Sequence, residues 1–265
     1  MSSEKKKPRA EMLPALLEKL PEGEIREVRI GLHWTAVVTD IQGTLRCGLC
    51  STLSEPHDHE KSARVPKAGE LESMASKQLA SLAGNQENPT LSSVGVAALN
   101  SLLPPPPERS WIGGNADEIL TQHGRGKHVV IVGHFPFIPT LRENVGQLDV
   151  LELCPREDDL PAQLAPEVIP QADVVAITSM AFANNTLTDL LPLCSPEATV
   201  MLLGPSTPLS PMLYEYGIHF LSGSIVEAID PVLKMISQGA HFRQVHKAGV
   251  RLITVAPTAS GWSDE

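Results

Sequence analysis

The run 128–143, HVVIVGHFPFIPTLRE, constrains the fold more than any other stretch of this chain. Val129 to Val132 are apolar without interruption and stop at Gly133-His134-Phe135-Pro136. A short apolar run closed by glycine predicts a strand buried on both faces, as in parallel sheets. Ile138-Pro139 and a helical pattern through Leu141 follow. A strand that turns through glycine into a helix is also where open α/β sheets place their ligands.

The surroundings repeat that unit. Strands are predicted at 128–132, 148–152, 173–177, 199–203 and 218–221, with helices near 115–124, 137–145, 180–193, 209–216 and 225–238. Strict alternation predicts an α/β, Rossmann-like, doubly wound parallel sheet with right-handed crossovers over 113–257. Short β-like runs at 242–245 and 250–255 predict a terminal hairpin, and 258–265 a loose tail. Upstream, Pro104 to Pro107 cannot be helical and lack amide donors, so 104–112 reads as a linker. Before it the order changes: a helix at 11–20, strands at 24–32, 35–39 and 44–49, a loop at 54–67, helices at 68–83 and 91–103. Strands followed by helices predict a smaller α+β domain over 10–103.

Charge and composition narrow the partners. A net charge of −10 over 265 residues argues against nucleic acid, which needs a basic footprint, and 4% aromatic residues leave little for base stacking. Lys5, Lys6, Lys7 and Arg9 read as a solvated terminus. No apolar run reaches membrane-spanning length, and four cysteines make no disulfide scaffold, so a cytoplasmic location and no membrane partner are expected. Oligomeric state is not readable from the pattern.

In a parallel sheet the strand ends share one rim. Gly133-His134, Glu152, Thr178-Ser179, Gly204-Pro-Ser206-Thr207 and Ser222-Gly223-Ser224 would bring hydroxyls, amides, an imidazole and a carboxylate together. Such residues also serve as ordinary helix caps and turns. The GxGxxG and GxxxxGK[ST] phosphate motifs are absent, which disfavours NAD and ATP in their usual modes. His134 reads as a metal ligand, a general acid/base or simply a hydrogen-bonding loop residue, and Glu152 as its carboxylate partner or a structural one. Phe135, Thr178, Gly204, Ser206, Thr207, Ser222 and Gly223, with Gly133, are the candidate ligand contacts. Cys47 and Cys50, followed by His57 and His59, resemble a soft-metal set, although packing as small hydrophobes explains the cysteines as well.

The motifs at 132–137, 151–155 (LELCP), 169–178 (IPQADVVAIT), 204–211 (GPSTPLSP) and 221–223 (LSG) resemble the "putative heavy-metal chelation" family, formerly a domain of unknown function. The resemblance covers 125–240 and extends more weakly over 12–103. It implies a Rossmann-like domain preceded by an enolase N-terminal-like domain, a site at their junction, and a transition metal ion or metal-binding small molecule as ligand. Gly133, His134, Phe135, Pro136, Glu152, Thr178, Gly204, Pro205, Thr207, Pro208, Ser222 and Gly223 carry the motif, whereas Cys47, Cys50, His57 and His59 lie outside it. The expectation is a metal-handling protein that holds an anionic or heteroaromatic ligand in an interdomain cleft. Alternatives are an enzyme acting on a nucleotide- or pterin-like molecule and a non-catalytic ligand sensor.

Overall fold

The computed structural model describes residues 11–54 and 65–257. Its parallel sheet owes its double burial to side chains that alternate between faces. Val129 and Ile131 of one strand, Val174 and Ala176 of the next, and Met201 and Leu203 of a third face one core. Val130, Val175, Ile177, Val200 and Leu202 face the other. At roughly 1.5–3 kcal/mol per large buried aliphatic side chain, these apolar runs are the main force assembling the domain.

The strands are β1 Glu24–Ile30, β2 Trp34–Ile41, β3 Thr44–Ser51, β4 Trp111–Ile112, β5 His128–Val132, β6 Gln147–Glu152, β7 Leu160–Pro161, β8 Val174–Thr178, β9 Thr199–Leu203, β10 Phe220–Val226 and β11 Val250–Val255. The α-helices are α1 Met12–Lys19, α2 Ser76–Ala80, α3 Pro89–Leu102, α4 Ala116–Gly124, α5 Ile138–Arg142, α6 Ala165–Val168, α7 Met180–Ala183, α8 Leu187–Leu190, α9 Ile229–Ser237 and α10 Phe242–Lys247. β1 to β3 form an antiparallel meander, with Gln42-Gly43 at positive φ closing the β2–β3 hairpin. The large sheet runs β4-β11-β10-β9-β8-β5-β6-β7. Its six parallel strands therefore follow the doubly wound Rossmann order, which reverses direction between β5 and β8. Among the described residues no helix is long and apolar enough to cross a membrane.

Five local expectations change. The helix expected over 180–193 breaks into α7, α8 and a 3-10 turn at Leu191–Leu193. Residues 242–247 form α10 rather than a strand, because His241 and Gln244 make a reciprocal capping box. The pattern over 68–83 breaks into a 3-10 turn at Leu71–Ser73 and the short α2. β10 extends to Val226 because β11 pairs antiparallel along it, so Ser222 and Gly223 lie within a strand. Residues after Gly204-Pro-Ser-Thr-Pro form a 3-10 helix, Pro211–Tyr216, and not an α-helix N-terminus.

The amino-terminal half packs against the large sheet and shares its core. Leu79, Val94, Leu99 and Leu102 belong to the same buried cluster as Val175, Ile177 and Leu213. On its other face, the small sheet places Trp34, Ala36 and Val38 against Val232, Ile236 and Val245 of α9 and α10. Between the halves, 104–107 runs without regular structure, and Trp111 Nε1 donates to Pro106 O at 3.0 Å.

Candidate functional site

At the reversal between β5 and β8 the two following connections leave in opposite directions, and a cleft opens beyond the strand ends. It measures about 550 Å³ and is lined by Gly133, His134, Glu152, Arg156, Thr178 and Asp189, among others. Gly133 sits at φ +101, and a Cβ there would lie 2.9 Å from that of Thr178, so the glycine lets β5 and β8 end side by side. Its amide donates to Leu151 O at 2.9 Å, continuing the ladder to β6. Glu152 ends β6 and points the same way.

His134 has a partner that sequence reasoning missed. Its Nδ1 lies 3.2 Å from Asp159 Oδ2, and Asp159 also accepts from Arg156 N at 3.1 Å. The Asp159 side chain is only 2% exposed. A carboxylate behind one ring nitrogen holds the N–H there and turns the Nε2 lone pair outward, the arrangement common among metal-binding histidines. Glu152 Oε2 is buried and has no hydrogen-bond partner among the described residues. The Arg156 side chain is exposed and makes no ion pair among the described residues.

The remaining predicted residues divide. Phe135, Gly204, Ser222 and Gly223 line a second pocket of about 300 Å³, separated from the cleft by the 133–137 loop. There Phe135 and Phe137 stack at 5.3 Å, and the Ser222 and Thr254 hydroxyls bond to each other. Ser222 pairs in register with Leu203, which keeps it level with the end of β9 although β10 continues. Ser206 serves the seam between the halves: its Oγ accepts from Ser51 N at 2.9 Å, and its carbonyl from Asn100 Nδ2 at 3.1 Å. Thr207 is likewise buried and faces that seam. Among the described residues the switch-point cleft is lined only by positions between 132 and 190, so the described part of the amino-terminal half contributes nothing to its wall.

Cys47 and Cys50 do not converge. An odd separation on β3 puts them on opposite faces, Cys50 in the core shared with the large sheet and Cys47 toward the α9 side. Burial pushes both thiols up to about 12. His57 and His59 lie outside the described residues. Among the described residues no three His, Cys, Asp or Glu side chains cluster closely enough to hold a metal ion.

A family model described as "Putative heavy-metal chelation" (DUF364) matches residues 115–254, and a second with the same description (DUF4213) matches residues 14–103. Among curated proteins none matches. A DUF364-family protein of unknown function from Desulfitobacterium hafniense DCB-2 is similar in structure, with 26% identity, TM-score 0.74, and coverage of 94% of this chain and 98% of that one. Another from Pyrococcus horikoshii, also of unknown function, has 15% identity, TM-score 0.77, and coverage of 95% and 100%. That second likeness speaks to the fold alone.

Proposed function

Since the chain belongs to the DUF364 "putative heavy-metal chelation" family, we propose that its switch-point cleft binds a metal ion as cargo together with a small anionic chelator. The observation that carries this reading is the unpartnered, buried Glu152 Oε2 in a cleft also lined by an imidazole whose Nδ1 is already committed to Asp159. Those two donors suit a divalent transition ion. They are too few for a closed four-coordinate site, and the described residues supply no third ligand in a cluster. The other positions fall to the chelator, whose negative groups Arg156 attracts. Thr178 supplies part of the polar floor.

Calorimetry with Co²⁺, with and without citrate, tests the reading. The Co²⁺–citrate complex binds more tightly than Co²⁺ alone, and His134→Ala weakens it roughly tenfold or more. Arg156→Met weakens the complex and leaves bare Co²⁺ unaffected. Binding indifferent to both changes removes the proposal. A second reading, an enzyme acting on a nucleotide- or pterin-like ring, draws on the neighbouring pocket, where Phe135, Phe137 and Phe242 provide aromatic walls. Thermal stabilisation by such a compound that Phe135→Ala abolishes, with no metal required, would favour it.

A further inference from the structure

The seam between the two halves contains a cavity of about 270 Å³ that shares no lining residue with the switch-point cleft. β3, the end of α3, the proline run and β10 enclose it. Two of its side chains carry buried polar atoms without partners among the described residues, Asn100 Oδ1 and Thr207 Oγ1. The orientation of Asn100 is not arbitrary. Its Nδ2 donates to Leu49 O at 3.0 Å and Ser206 O at 3.1 Å, and two carbonyl partners can be served only by the amide nitrogen. The oxygen is thereby left without a donor. Thr207 is only 2% exposed. Unmatched buried polar atoms are rare in native proteins, and two on one cavity leave hydrogen bonds there for a bound molecule to supply.

A cation completes the set. Arg46 lines the same cavity, is partly buried, and makes no ion pair among the described residues. Among the described residues its guanidinium reaches only Leu102 O, at 3.4 Å. Burial without a counter-ion pulls its pKa below the ordinary arginine value. Among the described residues no Asp or Glu lines the cavity, whose other walls are largely aliphatic and proline, including Leu103, Leu209 and Ile225.

We propose that this seam cavity binds a small organic monoanion with an apolar, ring-sized body. Its carboxylate lies on Arg46, and its O–H or N–H group donates to Asn100 Oδ1 and bonds to Thr207 Oγ1. A single aromatic ring fits the volume, and the rigid proline wall offers it a flat apolar face. The site is independent of the switch-point reading, since the two share no residue.

Calorimetry on the full chain with 3- and 4-hydroxybenzoate tests the proposal, with benzoate and phenol as probes that each lack one polar group. At least one hydroxybenzoate binds one to one, and benzoate and phenol bind roughly tenfold more weakly. Arg46→Met abolishes the binding, whereas His134→Ala leaves it intact. Thr207→Val raises the Tm of the ligand-free protein, because it removes an unmatched hydroxyl at constant shape, and weakens hydroxybenzoate binding. That paired outcome separates a ligand role from a packing role and stands even if the Arg46 variant fails to fold. No saturable binding by either hydroxybenzoate, or binding unchanged in Thr207→Val, overturns the proposal.

Discussion

A histidine offers two ring nitrogens, and what one of them touches decides what the other can do. In this protein Asp159 takes Nδ1 of His134 and simultaneously anchors the 156–159 turn. Asp159→Asn keeps an acceptor for the Arg156 amide but removes the charge behind the imidazole. We expect Co²⁺–citrate affinity to fall roughly tenfold with little change in Tm, as for other outer-shell partners of metal-binding histidines; calorimetry and thermal melting read the two quantities. An equal fall in both would make Asp159 a structural residue only. The thiols yield a separate expectation. Half-buried Cys47 and buried Cys50, both pushed up to about 12, are thiolate to the order of 10⁻⁴ near pH 8, whereas Cys154 is exposed. Ellman's reagent should therefore label Cys154 rapidly in native protein, and a Cys154→Ser variant should lose that fast phase. Fast labelling of Cys47 or Cys50 would show β3 to be more open than its packing indicates.

At the scale of elements, α3 decides how closely the halves approach. Eleven of its 14 residues are buried, including Ser92, Ser93 and Ser101. Gly48 on β3 lets it lie there: a Cβ at that position would collide with the backbone of Ala97 and Ser101. Backbone cannot yield as a flexible side chain does, so Gly48→Ala should cost about 3 kcal/mol or more in urea unfolding. A loss under about 1 kcal/mol would mean that α3 shifts freely. The same helix shows what sequence pattern can and cannot carry. Val94, Ala97, Ala98 and Leu102 announced a helix with one buried side, and the parallel strands announced themselves through unbroken aliphatic runs. The serines on the remaining faces are buried as well: Ser92 Oγ donates to Ala183 O and Ser101 Oγ bonds Thr39 Oγ1 at 2.6 Å. Small hydroxyls satisfied by distant backbone leave no periodic trace. Asp159 was hidden for a related reason, lying 25 residues from His134 among the surface acids Glu157 and Asp158. His134, Glu152, Gly133 and Thr178 were readable because each ends a strand. Their separation from Gly204 and Ser222 into another pocket depends on side-chain direction and on the antiparallel β11, neither of which the strand pattern contains.

For the whole molecule, the division into an α+β part and a Rossmann-like part describes the chain order better than it describes the energetics. One buried cluster runs from Met12 and Leu16 through α3 to Val175, Ile177, Phe182 and Leu221. A second interface joins the small sheet to α9 and α10, where a Cβ on Gly31 would press on the Ile236 side chain at 2.8 Å. The Ser51–Ser206 and Asn100–Ser206 hydrogen bonds cross the same seam. Removing the amino-terminal half would expose aliphatic side chains that are fully buried on one face of β8 and β9. Each exposed chain forfeits roughly 1.5–3 kcal/mol, so a handful of them matches the typical 5–15 kcal/mol stability of a whole domain. A fragment spanning 113–257 should therefore fail to reach a fixed native state. We expect it to bind anilinonaphthalene sulfonate, lose near-ultraviolet dichroism and melt without cooperativity, while the full chain unfolds in one urea transition seen alike by tryptophan fluorescence and far-ultraviolet dichroism. Two separate transitions in the full chain, or a fragment that melts sharply, would show that each half is stable alone. The seam cavity would then lie between two autonomous domains rather than inside one cooperative unit, and its ligand would be free to act by holding the halves together.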